Sequence, residues 1–218
     1  KMNRPILVTG SQRSGTSLVA GMLFYSKVFM GHWFLRRDDQ NPLGYFEDRE
    51  FGKLDEARHL KVMSEDEWTD RVKALVKERE ENPVFGFSRW GWKNPSSSLF
   101  IKDYIELFNP LVIWVKRNQK DTEASISKMY SGIMTDKGVQ LVNPEQVYLK
   151  KVQKMQEVQD QCLIVEFEKV LENPELEYGR MMGFTGLNPS ENTRARALRH
   201  VVTKPKEVGT EESYQDYL

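Results

Sequence analysis

The chain has 218 residues, with 32 Lys+Arg against 32 Asp+Glu and a single cysteine. The balanced charge offers no net field to gather a polyanion, which argues against a nucleic-acid partner, and the lone Cys162 forms no internal disulfide, which fits a reducing compartment. No apolar run approaches the roughly 20 residues of a bilayer span and no secretory-type apolar segment opens the chain, so the expectation is a soluble, cytoplasmic protein without a membrane partner.

In chain order, residues 6–9 form a continuously apolar run that predicts a strand buried on both faces. Residues 16–25, with Leu18, Val19, Met22 and Leu23 at helical spacing, predict the helix after it. Residues 47–63 read as an amphipathic, charged helix. Residues 65–82 read as a surface helix with one apolar stripe, Trp68, Val72, Leu75 and Val76; a helical insertion acting as a lid is the sharper alternative. A weaker strand covers 85–92, interrupted by Gly86 and Gly91. Helices follow over 97–108, 119–130, 144–160 and 191–201, with strands at 111–116 and 163–167 between them. Residues 203–218 are a polar tail. The length suits one domain over 1–218, able to bury roughly 70% of the surface its unfolded chain exposes. Strands alternating with helices predict an α/β fold of three layers, a mainly parallel central sheet flanked by helices.

The turn between the first strand and its helix carries the strongest signal. From Gly10 to Gly15 the spacing is that of the phosphate-binding loop GxxxxGK[ST], but Thr16 occupies the lysine position and Arg13 brings a cation earlier. A glycine-rich turn into a helix aims backbone N–H groups and the positive end of the helix dipole at one point. Arg13, Ser14, Thr16 and Ser17 add donors, so an anion site is expected rather than a turn that binds nothing. A kinase needs the missing lysine and an acid at the end of a neighbouring strand. The strand at 111–116 leads instead into Arg117; the strand at 163–167 does carry Glu166, with Glu168 after it.

Arg13-Ser14-Gly15-Thr16-Ser17 resembles, position for position, the K/R-S-G-T/S-T/S loop of sulfotransferases that use 3′-phosphoadenosine 5′-phosphosulfate (PAPS). Arg117, Asn118, Asp121 and Ser125 resemble the family's second motif, R-N-P-x-D-x-x-x-S, with Gln119 in place of proline. The segment from Cys162 to Leu187 is similar to the strand and helix that follow in many members, and Phe167 stands where a tyrosine often lies near adenine. The resemblance implies a nucleotide-binding fold of the P-loop type. It implies that Arg13, Ser14, Gly15, Thr16 and Ser17 bind the phosphosulfate, that Arg117 and Ser125 bind the 3′-phosphate, and that no metal is required. Phe167 would stack on the base or pack in the core. The implied reaction is sulfuryl transfer to a hydroxyl or amine of a small-molecule, carbohydrate or peptide acceptor, releasing adenosine 3′,5′-bisphosphate. The family's C-terminal basic segment has only Lys204, Lys206 and Gly209 as counterparts, without its usual spacing.

Transfer needs a base for the acceptor proton and cations for the developing charge. Pro95 stands where cytosolic members have histidine, after Lys93. Glu47, in a Gly-Tyr-Phe-Glu string after a turn cluster, is the preferred base, with helix-end stabilisation as its plainer role. Asp48 and His32 are rivals, and His59 and His200 weigh less. Lys93 is assigned to the transferring oxygens, against a plain exposed loop lysine. Trp33, Phe34, Trp90 and Trp92 line an acceptor pocket or fill the core. A kinase of small metabolites and a non-catalytic nucleotide-binding relative remain the alternatives.

Overall fold

Alternate side chains of a buried strand go to opposite faces of its sheet, and the first strand sorts its residues this way. Ile6 and Val8 enter one core with Ile113, Val115 and Val165, while Leu7 enters a second with Val112, Trp92 and Trp114. The computed structural model describes residues 4–36, 38, 41–130 and 143–202; the tail and its Lys204, Lys206 and Gly209 lie outside the described residues. The strands are β1 (Ile6–Gly10), β2 (Val28–Phe29), β3 (Arg89–Lys93), β4 (Leu111–Lys116) and β5 (Cys162–Glu166). They form one sheet in the order β2-β3-β1-β4-β5, every pairing parallel.

Helices cover both faces, giving the expected three layers. On the first face lie α1 (Thr16–Tyr25), α8 (Pro174–Thr185) and α9 (Glu191–Val202). On the second lie α2 (Arg49–His59), α3 (Glu65–Glu81), α4 (Ile101–Phe108) and α6 (Pro144–Gln156). Helices α5 (Gln119–Tyr130) and α7 (Phe167–Glu172) follow directly on β4 and β5. The stripe of α3 is buried: Trp68, Val72 and Val76 belong to the second core, and Arg79 pairs with Asp48 at 3.3 Å and with Glu50.

Several boundaries shift for local reasons. The helix expected from 47 starts at Arg49, because Asp48 is an extended N-cap whose carboxylate accepts from the Glu50 and Phe51 amides. The helix expected from 97 is a 3₁₀ turn, Pro95–Phe100, before α4 begins; Asn94 caps it and Pro95 occupies its first position. β3 starts at Arg89 rather than 85, after a turn in which the Phe87 amide bonds the Val84 carbonyl at 3.2 Å. β5 ends at Glu166 because Phe167 already opens α7. No helix of the described residues is long and apolar enough to cross a membrane.

Candidate active site

In a parallel sheet all strands deliver their C-terminal ends to one edge. Here the chain goes to one side of β1 for β2 and β3 and to the other for β4 and β5, so a crevice opens at the end of β1. Gly10 passes so close to β4 that a Cβ would strike the Val115 carbonyl oxygen. The loop after it closes on itself: the Ser14 hydroxyl donates to the Ser11 carbonyl at 2.6 Å, and Ser14 is buried. Gly15 then turns into α1 with φ +91°, and no side chain caps the helix. The Leu18 amide bonds back to the Gly15 carbonyl at 3.1 Å, which leaves the Thr16 and Ser17 amides for an external acceptor. The Phe167 ring lies against this turn, where a Cβ on Gly15 would meet it.

The loop and the end of β4 are in direct contact. The Arg13 Nε donates to the Ser125 Oγ at 2.9 Å, and Arg117 donates to the Arg13 carbonyl at 3.2 Å. The Arg117 guanidinium stands 5.0 Å over the Phe167 ring, and its buried Nε has no partner. Arg13, Gly15, Thr16, Ser17, Arg117 and Phe167 line one side of a cavity of about 380 Å³. Ser14 and Ser125 stand behind that wall. Across from it are Tyr45, Glu47, Lys93 and Lys151.

Glu47 reaches the cavity because 33–35 and 47–49 run antiparallel, the Leu35 amide bonding the Glu47 carbonyl at 3.0 Å and the Arg49 amide the Trp33 carbonyl at 3.1 Å. Phe46 takes φ +47°, a conformation unusual for a side-chain-bearing residue. Burial of its ring against Phe24 and Phe34, at 5.5 and 5.6 Å, holds that turn. Lys93, at the end of β3, is only 2% exposed, and its ammonium donates to the Glu47 carboxylate at 2.6 Å. It is no exposed loop lysine. The Tyr45 hydroxyl donates to Asp38 at 2.9 Å; burial first, then that bond, pushes it up to about 12.

Two residues at this site had no role in the sequence reading. Asp55 is fully buried and accepts from Trp68, Asn94, Ser97 and Tyr104 at 2.6–3.1 Å. Burial raises its carboxyl to about 6 against the pull of those four donors. It thereby ties α2, α3 and α4 to Asn94, the neighbour of Lys93. Lys151 on α6 donates to the Gln12 side chain, and burial lowers its amine to about 8. Both stand on apolar stripes, Asp55 four residues after Phe51 and Lys151 between Tyr148 and Met155, and an ionisable group at such a position is the signal that marks it.

Other candidates fall elsewhere. His32 packs its ring 4.8 Å from Phe29, lies 3.8 Å from Glu78 and lines neither this cavity nor its neighbour. Asp48 is occupied as the cap of α2 and the partner of Arg79. His200 is buried against Tyr25 and Phe46. Trp92 and Phe34 are core residues, Trp92 stacked 4.5 Å from Phe51, and neither Trp33 nor Trp90 lines either cavity, so these four form no acceptor wall. A second cavity of about 840 Å³ adjoins the first and shares Gln12, Glu47, Ser96 and Lys151 with it.

A family model described as "Sulfotransferase family" matches residues 5–191. No curated protein matches the sequence. Among solved structures, sulfotransferase STF1 of Mycobacterium tuberculosis H37Rv is similar with a TM-score of 0.61 at 17% identity, over 92% of this chain and 72% of that one. Sulfotransferase STF9 of Mycobacterium avium gives 0.58 at 15%, over 98% and 71%. A sulfotransferase domain from the curacin biosynthetic pathway gives 0.56 at 17%, over 88% and 77%. At these identities the likeness is one of fold.

Proposed function

The chain belongs to the sulfotransferase family, and on that premise we propose that it moves the sulfuryl group of PAPS to a hydroxyl or amine of a small-molecule or carbohydrate acceptor. The observation that carries this reading is the meeting of two anion-binding clusters and an acid–cation pair at one cavity. The uncapped start of α1 with Arg13 lies at one end, Arg117 beside it, and Glu47–Lys93 opposite. The residues fit the donor: Arg117 keeps a buried Nε without a partner, as a site awaiting a phosphate oxygen would.

When bound, PAPS supplies the sulfuryl group, and adenosine 3′,5′-bisphosphate is released. The amides of α1 with Thr16 and Ser17 hold the 5′ end. Arg13 would join them at the phosphosulfate, Arg117 and Ser125 would hold the 3′-phosphate, and Phe167 would support the base. Glu47 takes the acceptor proton; Lys93 orients Glu47 through its 2.6 Å bond and turns its remaining N–H groups to the oxygens that gain charge. Thr16 in the lysine position leaves neutralisation to arginine, hydroxyls and amides, which weighs against a kinase.

Calorimetric titration tests the reading. Adenosine 3′,5′-bisphosphate should bind tightly with or without Mg²⁺, and Arg13→Ala and Arg117→Ala should each weaken it at least tenfold. Metal-dependent ATP binding with no bisphosphate binding would overturn it in favour of a kinase. Turnover of a labelled sulfate donor, lost in Glu47→Gln and kept in His32→Ala, would assign the base; no turnover with any acceptor would favour a non-catalytic relative.

A further inference from the structure

The second cavity opens from the Glu47 carboxylate on the side away from Arg117, where an acceptor would approach. Its walls come from α2 and α6. They carry four formal cations, Arg49, Lys53, Lys150 and Lys151, against two carboxylates, Glu47 and Glu56. Glu47 is already neutralised by Lys93. Among the described residues none of the four cations lies within ion-pair distance of a carboxylate. A chain with equal numbers of acids and bases thus sets, among its described residues, four cations against two carboxylates around one hollow.

Lys151 gives the arrangement its meaning. Its amine is almost wholly buried at the junction of the two cavities, and among the described residues its hydrogen-bond partner is the neutral Gln12 amide. Burial outweighs the pull of Glu47 and Asp55 on this amine, and Lys93 and Lys150 push against it, so an added anion nearby would offset part of that cost. The field it shares with Lys150 is felt nearby: after burial, these two lysines are what hold His59, on the same wall, below its ordinary value.

We propose that this second cavity binds an acceptor bearing an anionic group, a carboxylate, sulfate or phosphate, next to the hydroxyl or amine presented to Glu47. This rests on the sulfuryl-transfer reading and adds the substrate class to it. About 840 Å³ is the size of pocket that encloses a drug-sized ligand. Three of the cations, Arg49, Lys53 and Lys150, stand exposed around the buried Lys151, and their combined field favours an anion over its neutral isostere, most at low salt.

The test uses a matched pair, p-nitrophenyl β-D-glucuronide and p-nitrophenyl β-D-glucoside, which differ by one carboxylate. Each is titrated against the protein saturated with adenosine 3′,5′-bisphosphate, so that Arg13 and Arg117 are occupied. The glucuronide should bind at least tenfold tighter at low salt, and the margin should shrink with added salt. In Lys53→Gln/Lys150→Gln, with its melting temperature unchanged, the margin should fall below threefold. Equal affinities, no detectable glucuronide binding, or a margin that survives the double substitution would overturn the inference. Failure of bisphosphate binding would instead sink the reading it rests on.

Discussion

The Glu47–Lys93 pair is unequal in burial, and the inequality predicts an asymmetric response to mutation. Lys93 is 2% exposed and Glu47 22%. Glu47→Ala strands an ammonium in the interior, a change that costs about 3–5 kcal/mol. Lys93→Met replaces the lysine with an apolar chain of similar length and leaves a carboxylate that still reaches water, for about 1 kcal/mol or less. The double variant should lie close to Lys93→Met alone, giving a coupling of about 3–5 kcal/mol, the whole of the Glu47→Ala loss. Urea denaturation reads this directly: at a slope of about 1–3 kcal/mol/M the Glu47→Ala midpoint should fall by roughly 1–5 M. Equal losses from the two single variants, or a double variant whose loss is their sum, would refute the account of a buried cation held by a half-solvated acid.

Three further outcomes follow from other parts of the molecule. Burial lowers His200 to about 4 from 6.5, so the unfolded chain binds its proton first; stability is full above pH 6.5 and falls by about 3 kcal/mol as pH drops to 4. Because buried Asp48 and Asp55 are raised to about 6 and act in the opposite direction, the test is the difference between wild type and His200→Phe across that window, and parallel curves would remove the assignment. Asp55→Ala leaves four buried donors without their acceptor and should cost about 3 kcal/mol or more by denaturation; a loss under 1 kcal/mol would mean the network relaxes freely. Gly15→Ala combines φ +91° with a clash on Phe167; melting should fall by several degrees, the equivalent of about 1–3 kcal/mol, with bisphosphate binding weakened at least tenfold, and an unchanged melting point would show that the ring is not seated on the loop.

What could be read ahead of the structure was what depends on neighbours in sequence. β1, its glycine turn and α1 are legible because an apolar run, two glycines, a cation and hydroxyls fall within twenty residues. Arg117 was legible as a cation leaving a buried strand. β2 was not, because two residues carry no periodicity. Glu47 was expected at a helix start and instead lies before it, since the Asp48 carboxylate binds the first free amides and fixes the boundary. The aromatic residues near 90 fitted an acceptor pocket or the core in sequence; β3 is an interior strand of the sheet, so Trp92 faces core on its side of the sheet. An ionisable residue on an apolar stripe marks Lys151 and Asp55 as buried, but their place at the site comes from α6 and α2 docking beside β1 and β3, a relation no local window contains.

That docking also accounts for the charge of the cavity. Arg13, Lys93, Arg117 and Lys151 line it with one carboxylate, Glu47, among them. In an otherwise neutral chain this local excess of about three positive charges opposes folding, because each partly desolvated cation is held near the others. It is tolerable where rigid elements fix the groups: the ends of β3 and β4, the 3₁₀ turn tied to Asp55, and the buried stripe of α6. The same strain becomes binding energy once a multiply charged anion enters, since the protein has already met the cost of assembling its counter-charges. Adenosine 3′,5′-bisphosphate should therefore raise the stability of the fold itself, by about 2.7 kcal/mol at one hundred times its dissociation constant. Arg117→Ala should melt higher than wild type without ligand, or no lower, yet gain less when the bisphosphate is added.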